Sequence, residues 1–209
     1  MYHSILTAIA MGDGKIHSVY KRAKVSTLVG DKAVEELCER KIIRRKQSKN
    51  ADSKLYFTTP FLRFWFAFVS PLFKGIRDGD YSEVQARWEN REQEFTTLTF
   101  TELSHELLKV AFKEDPIFEI SEYWQNDNLE IDIFGKTKSK KTIVGSAKYT
   151  NTKVKKSELS RVQELCEKAQ IKPDIFVLVA KKGFSSELKS LKGENLKLFT
   201  LKNFAKLVE

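Results

Sequence analysis

The sequence predicts a mixed α/β (α+β) fold, in which a winged helix is followed by an αβββαβ core with a mixed central sheet. Three helical segments and two short strands fill the first 57 residues. From residue 99 a helix, three strands, a helix and a buried strand follow in that order. Hydrophobic residues make up 41% of the chain, which is enough for a packed core. We therefore expect a winged-helix domain over 1–58, connecting helices over 59–95 and a core domain over 96–209.

The winged helix is predicted from helical periodicity that gives way to short, basic strands. Its expected elements are helices over 2–11, 17–24 and 27–40 and strands over 42–46 and 54–57. The third helix, capped by Ser26 or Thr27, should turn Leu28, Val34 and Leu37 inward. In this module the third helix usually enters the major groove and the wing contacts phosphate. The predicted phosphate contacts of the wing are Arg44, Arg45, Lys46 and Lys49. A winged helix that only contacts other proteins remains the alternative.

The middle of the chain predicts three helices. The first begins at Pro60 with Thr59 as its cap, and its dense aromatic residues favour burial between the two halves of the protein. A platform on which bases stack is the alternative interpretation of those aromatic residues. A polar helix is expected over 78–94, and an amphipathic helix over 99–112 with Leu103, Leu107 and Val110 on one stripe. Thr99 and Glu102 match a capping box at its start.

The remaining segments predict the sheet and the helices that pack on it. Strands are expected over 117–124, 129–135, 142–149, 174–180 and 196–200, and helices over 156–169, 185–191 and 201–208. The strand over 174–180 is continuously apolar, so it should be central and buried on both faces. The helix over 156–169 should turn Leu159, Val162, Leu165 and Cys166 inward.

Charge divides the chain into three blocks. Residues 1–57 hold 12 basic and 6 acidic side chains, residues 58–132 hold 7 and 15, and residues 133–209 hold 18 and 7. Two basic blocks around an acidic middle favour DNA as a partner, and a lysine-rich surface without a partner is the alternative. The sequence also predicts a cytoplasmic protein without membrane contact. Cys38 and Cys166 are isolated, and neither a signal peptide nor an apolar run of about 18 residues is recognised.

An acid and a lysine on neighbouring predicted strands are the main catalytic signal. Asp132 lies in the strand over 129–135, and Lys148 lies near the end of the strand over 142–149. Together with the phrase over 56–71 and the pair Tyr123-Trp124, these motifs resemble the restriction-endonuclease-like, or PD-(D/E)XK, superfamily. More specifically, nearly the whole chain resembles the C-terminal region of archaeal-type AAA ATPases, but the sequence has no P-loop motif.

The resemblance implies a Mg²⁺ or Mn²⁺ site at which Asp132 is a ligand and Lys148 positions or activates water. The second ligand of the family pattern stands two residues before the lysine, where this chain has Ser146. A further carboxylate would come from Glu102 or Glu106 on the preceding helix, and Glu130 would substitute if it shares a strand face with Asp132. Migrated groups of this superfamily lie on the helix after the lysine, where this chain has Gln163 and Glu164. A cross-strand ion pair is the alternative interpretation of Asp132 and Lys148.

These observations predict a DNA-binding protein with a nuclease fold, in particular a divalent-metal-dependent endodeoxyribonuclease with a degenerate active site. The lysines expected to follow the DNA backbone near the site are Lys153, Lys155 and Lys156. The alternative is a non-catalytic module that binds DNA or protein, in which Ser146 marks a lost site. A homodimer and an ATPase partner acting in trans stay open.

Overall fold

The computed structural model describes residues 1–47, 52–125 and 129–208 and divides the chain into two compact units, Met1–Phe95 and Thr96–Glu209. The predicted mixed α/β class is confirmed. N-terminal helices with a small hairpin are followed by a five-stranded mixed sheet with helices. No helix within the described residues is long and apolar enough to cross a membrane.

The first unit begins with three helices and a hairpin, as predicted. These elements are α1 (Tyr2–Ala10), α2 (Ile16–Ala23), α3 (Thr27–Glu39), β1 (Ile43–Lys46) and β2 (Lys54–Phe57). The two strands are antiparallel. Ser26 is the N-cap residue of α3, but its side chain makes no capping hydrogen bond. Val34 and Leu37 are buried as expected, but Leu28 is 69% exposed, because it lies on the side of α3 opposite the buried face that contains Val34 and Leu37.

The aromatic segment of the first unit is helical but irregular. It comprises α4 (Pro60–Phe64), a π-helical turn (Trp65–Val69), a 3₁₀ turn (Ser70–Leu72) and α5 (Phe73–Arg77). Thr59 caps α4 by accepting a hydrogen bond from the amide of Leu62, as predicted. These aromatic residues are buried only in part. Phe68 is buried against Trp88, whereas Phe61 is 66% exposed, because the aromatic residues cover more than one side of the helical segment.

A single long helix, α6 (Ser82–Ala111), replaces the two helices predicted over 78–94 and 99–112. No glycine or proline interrupts residues 82–111, so the helix continues through the expected boundary. Thr99 is therefore inside the helix, and the predicted capping box is wrong. The buried stripe also differs, because Leu107 and Leu108 are buried while Leu103 and Val110 are exposed.

The second unit is built on a sheet of order β3-β4-β5-β6-β7. Its strands are β3 (Ile117–Gln125), β4 (Leu129–Thr137), β5 (Thr142–Lys148), β6 (Ile175–Ala180) and β7 (Leu196–Thr200). The pairs β3–β4 and β4–β5 are antiparallel, and the pairs β5–β6 and β6–β7 are parallel. Parallel neighbours need a crossover, which α7 (Lys156–Ala169) and α8 (Ser186–Ser190) provide, and a 3₁₀ segment (Leu201–Leu207) follows β7.

Two apolar clusters form the core of the second unit. One contains Val162 and Cys166 of α7 together with Val144 and Leu178 of the sheet. The other contains Leu107 of α6 and further sheet residues. The sheet is thus covered on both faces, which explains the continuously apolar sequence of β6. Leu165 of α7 is only partly buried, unlike its predicted neighbours on that helix.

Candidate active site

Asp132 lies at an irregularity in β4. The register of β4 against β3 shifts between the pairs Ser121–Phe134 and Tyr123–Ile131, so β4 holds one residue more than its partner there. As a result Ile131 joins the core cluster beneath α7, while Ile133 joins the cluster beneath α6. A bulge of this kind re-aims a side chain and ends regular pairing. It places Asp132 where β4 and β5 cease to pair.

Polar contacts hold both the carboxylate and the carbonyl group of Asp132. The amide of Ala147 on β5 donates to Asp132 Oδ2 at 3.0 Å, so the side chain takes the place of a ladder carbonyl. On the α6 side, His105 Nε2 donates to the carbonyl oxygen of Asp132 at 2.8 Å. His105 is buried. These two contacts fix the orientation of the aspartate at the open end of the strand pair.

Lys148, at the end of β5, lies between two carboxylates. Its Nζ is 3.8 Å from Asp132 Oδ2 and 3.4 Å from Glu158 Oε1. The side chains of Lys148 and Asp132 are 30% and 28% exposed, whereas that of Glu158 is 16% exposed. The predicted proximity of Asp132 and Lys148 is therefore present, in a half-buried setting where charges are screened less than at the surface.

Glu158 is the carboxylate that the sequence interpretation missed. It lies in the first turn of α7, and Arg161 on the next turn donates to it through Nη2 at 2.7 Å and through Nε at 3.0 Å. The available signal was the position of Glu158 in the helix that follows Lys148, three residues before an arginine. That signal is common to many surface helices, so it did not single out this residue.

The environments of the two carboxylates shift their pKa values in opposite directions. Burial raises the pKa of Asp132 above its ordinary value, although Lys148 and the Ala147 amide oppose that shift. Burial also raises the pKa of Glu158, but the Arg161 hydrogen bond and Lys148 outweigh it, so the net pKa is lowered. Of the two, Glu158 is the carboxylate whose charge is better stabilised.

Ser146, on β5 two residues before Lys148, faces the same site. Its side chain is buried, and Oγ has no hydrogen-bond partner of normal geometry among the described residues. The hydroxyl nevertheless lies close enough to Glu158 to contribute to its lowered pKa. A buried polar atom without a full hydrogen bond is costly, so this hydroxyl is available to a group that enters the site.

The donor set fits a weakly held divalent cation. Asp132 and Glu158 supply two carboxylates beside Lys148, and Ser146 adds a neutral oxygen. No group of three His, Cys, Asp or Glu residues suited to a metal occurs within 1–47, 52–125 and 129–208. Mg²⁺ commonly binds through one or two carboxylates and keeps water and substrate phosphate as its other ligands. These residues therefore suit a cation that substrate helps to hold.

The other predicted carboxylates have different surroundings. Glu106 is 53% exposed on α6 and pairs with Lys109 at 2.8 Å, so it is held at the surface. Glu102 is partly buried one turn before His105, which places it on the side of α6 that faces β4. Glu130 is exposed, and the bulge breaks the strand alternation that was expected to put it beside Asp132. Gln163 of α7 lines a separate surface cavity of about 570 Å³ together with Phe176.

The lysines predicted near the site are at the surface. Lys153 and Lys155 are exposed in the segment that leads into α7. Lys156 is also exposed and lies 3.4 Å from Glu187 on α8. They are therefore accessible to a ligand from solvent.

The predicted wing contacts lie on β1. Arg44 and Arg45 are exposed, and Lys46 is partly buried with its Nζ 4.6 Å from the centroid of the Tyr56 ring. Lys49 lies outside the described residues. The hairpin thus presents a basic strand to solvent.

The third helix of the first unit has the opposite charge. Within Thr27–Glu39 its single basic residue is Lys32, against four acidic residues, Asp31, Glu35, Glu36 and Glu39. An acidic helix is repelled by phosphate, so α3 is poorly suited to the major groove. Of the two elements, the hairpin is basic and α3 is acidic.

Comparison with known proteins gives a family match. Residues 65–162 match the DUF234 family. Its members are described as archaea bacterial proteins of unknown function, and the match spans just under half of the chain. No curated protein and no solved structure shows significant similarity. The matched range includes Asp132, Lys148, Glu158 and Arg161, so the whole charge cluster belongs to the family-related part of the chain.

Proposed function

We propose that this protein is a DNA-binding, divalent-metal-dependent endodeoxyribonuclease with a reduced set of metal ligands. The observation that supports this most directly is the position of Lys148, within 4 Å of both the Asp132 and Glu158 carboxylates at the end of two strands. The resemblance of the same segment to restriction-endonuclease-like proteins supports the same activity. In this proposal Glu158 supplies the carboxylate that position 146 lacks.

Each residue of the cluster has a role that follows from its chemistry. Asp132 and Glu158 would hold Mg²⁺ or Mn²⁺ through carboxylate oxygens, and a bound cation there would supply Lewis-acid stabilisation of the phosphate. Lys148 orients the attacking water and offsets negative charge that develops on the phosphodiester. His105 is a positioning residue, because its Nε2 donates to the backbone carbonyl of Asp132 and so acts through that residue.

DNA would be held by electrostatic contacts outside this cluster. Arg44 and Arg45 on the hairpin and Lys153 and Lys155 before α7 are exposed cations. Contacts between such residues and the phosphate backbone release counterions, which gives affinity without sequence selectivity. We therefore propose binding through the wing and the lysines, with α3 outside the DNA contact.

A second function is favoured by the missing acid at position 146. With two carboxylates already paired to Lys148 and Arg161, the cluster is also a stable ion-pair network. In that case the protein is a non-catalytic module that binds DNA or another protein through a nuclease-like fold. The two functions differ in one measurable property, which is phosphodiester hydrolysis.

Nicking of supercoiled plasmid separates the two. Wild-type protein is incubated with Mg²⁺, Mn²⁺ or EDTA, beside Asp132→Ala, Lys148→Ala and Glu158→Ala. We expect metal-dependent nicking that falls by about 100-fold or more in each variant, since each removes a group that acts on the metal or on the reacting phosphate. Glu106→Ala is the matched control, because this glutamate is exposed and paired with Lys109, and it should nick like the wild type.

Two outcomes of this experiment would contradict the proposal. Equal nicking by wild type and Asp132→Ala would exclude this cluster as the active site. No nicking by the wild type in either metal, combined with a clear gel shift, would replace the nuclease proposal with the non-catalytic one.

A further inference from the structure

The charges of the candidate active site are balanced within the protein. Two acidic side chains, Asp132 and Glu158, face two basic ones, Lys148 and Arg161, and all contacts among them are 3.8 Å or shorter. Most of this network is half-buried, with side-chain exposures between 16% and 42%. A cation that arrives alone therefore meets carboxylates that are already neutralised.

Arg161 in particular occupies the oxygens that a cation would need. Its Nε lies 3.0 Å from Glu158 Oε1 and 3.2 Å from Glu158 Oε2, and its Nη2 lies 2.7 Å from Oε1. Both oxygens of Glu158 are thus engaged by one guanidinium group. While these hydrogen bonds are in place, the positive charge of Arg161 opposes a second cation and makes Glu158 a weaker ligand.

Arg161 is open to solvent and has the chemistry to bind phosphate. Its side chain is 42% exposed, in contrast to 16% for Glu158. Guanidinium groups bind phosphate with the same paired geometry that they use for carboxylate. A phosphate of nucleic acid offers Arg161 the same paired acceptors as Glu158, so it can compete with Glu158 for the guanidinium group.

We propose that Arg161 couples nucleic-acid binding to divalent-cation binding by exchanging its partner. In the free protein the guanidinium group is bound to Glu158. When a phosphodiester backbone binds, Arg161 transfers to a phosphate oxygen, and Glu158 becomes available to the cation. This inference rests on the proposed function, because it assigns the cation to Asp132 and Glu158.

Such coupling is reciprocal by thermodynamic linkage. If the phosphate backbone tightens cation binding by a given factor, the cation tightens binding of the backbone by the same factor. The exchange also predicts that removal of the guanidinium group frees Glu158 in the absence of nucleic acid. Arg161→Gln should therefore bind the cation more tightly than the wild type when no nucleic acid is present.

The test is a titration of the protein with Mn²⁺ in which binding is measured by calorimetry. It is carried out with and without a DNA duplex whose phosphorothioate linkages resist cleavage. Mn²⁺ taken up by DNA itself is measured with Asp132→Asn protein and subtracted. We expect wild-type affinity for Mn²⁺ to rise at least about tenfold with the duplex, and affinity for the duplex to rise equally with Mn²⁺. In Arg161→Gln the duplex should leave the affinity for Mn²⁺ nearly unchanged. In the absence of DNA this variant should bind Mn²⁺ more tightly than the wild type does.

Arg40→Gln is the matched control. Arg40, the residue that follows α3 of the first unit, forms an arginine–glutamate pair with Glu36 at 2.8 Å and spacing i, i+4. This variant should keep the wild-type coupling. It therefore shows whether the loss of any arginine–glutamate pair is enough to change Mn²⁺ binding.

The outcomes separate the inference from the function on which it rests. Wild-type Mn²⁺ affinity that is equal with and without the duplex, in a protein that still nicks plasmid, would overturn the coupling alone. Unchanged coupling in Arg161→Gln would overturn the role of Arg161. No specific Mn²⁺ binding in either condition would overturn both the coupling and the proposed metal-dependent activity.

Discussion

The basic side chains around Asp132 and those on the N-terminal hairpin carry the same charge but differ in their surroundings. Around Asp132, Lys148 and Arg161 are half-buried and paired with carboxylates. On the hairpin, Arg44 and Arg45 project from a two-stranded sheet into solvent. The first set depends on the spacing of strands and on an exact fit of neighbours, whereas the second depends only on exposure. We therefore expect substitutions in the two regions to act on different quantities, stability and chemistry in one and affinity for DNA in the other.

The largest effect on stability is expected from Gly145→Ala. A Cβ atom at Gly145 would lie 1.8 Å from the carbonyl oxygen of Val177 on the adjacent parallel strand, so the strands would have to separate. We expect the free energy of unfolding, measured by urea denaturation, to fall by about 3 kcal/mol or more. Gly193→Ala, whose Cβ would meet its nearest neighbour at 4.0 Å, is the control. Equal stability of the two variants would show that strand spacing does not limit this region.

An intermediate effect is expected from His105→Leu. The substitution removes the donor that satisfies the carbonyl oxygen of Asp132 and leaves that oxygen buried at the bulge. The free energy of unfolding should fall by about 1–3 kcal/mol, and plasmid nicking should fall because Asp132 is no longer held in place. His17→Leu is the control, because His17 is exposed. If both histidine variants unfold at the same urea concentration, the bulge does not depend on His105.

The smallest effect on stability is expected from the double variant Arg44→Gln, Arg45→Gln. Both side chains are exposed on β1, so the free energy of unfolding should change by less than about 0.5 kcal/mol. Affinity for duplex DNA should fall. A plot of the logarithm of the binding constant against the logarithm of salt concentration should become less steep by about 2, because each arginine accounts for one phosphate contact. Lys192→Gln in the second unit provides the comparison. An unchanged salt dependence in the double variant would remove the hairpin from the proposed DNA contact.

Most elements of the second unit were predictable because their sequences are locally consistent. The helix over Lys156–Ala169 was predicted with its observed bounds, and strand β6 was recognised from an unbroken apolar run. The errors occurred where local signals were weak or ambiguous. Thr99 with Glu102 has the pattern of a capping box, but with no glycine or proline between residues 94 and 99 the helix continues through it.

The candidate site was predicted only in part, for a physical reason. Asp132 and Lys148 were recognised because a motif in adjacent strands specifies them, and the structure brings them to 3.8 Å. Glu158 and His105 join that site from two helices, which contact the sheet through tertiary packing. Nothing in the local sequence distinguishes a helical glutamate that points into a site from one that points into solvent, as Glu106 does.

The sequence by itself determined the order of the strands and of the helices outside the middle of the chain, the basic hairpin and the strand pair that carries Asp132 and Lys148, because these follow from periodicity and spacing along the chain. Only the tertiary structure decided the partners of that pair. The bulge in β4 turned Asp132 toward β5, and the packing of α7 on the sheet brought Glu158 and Arg161 to Lys148. Such contacts arise from the folding of distant segments onto one another, so the sequence specifies them without displaying them as a local pattern.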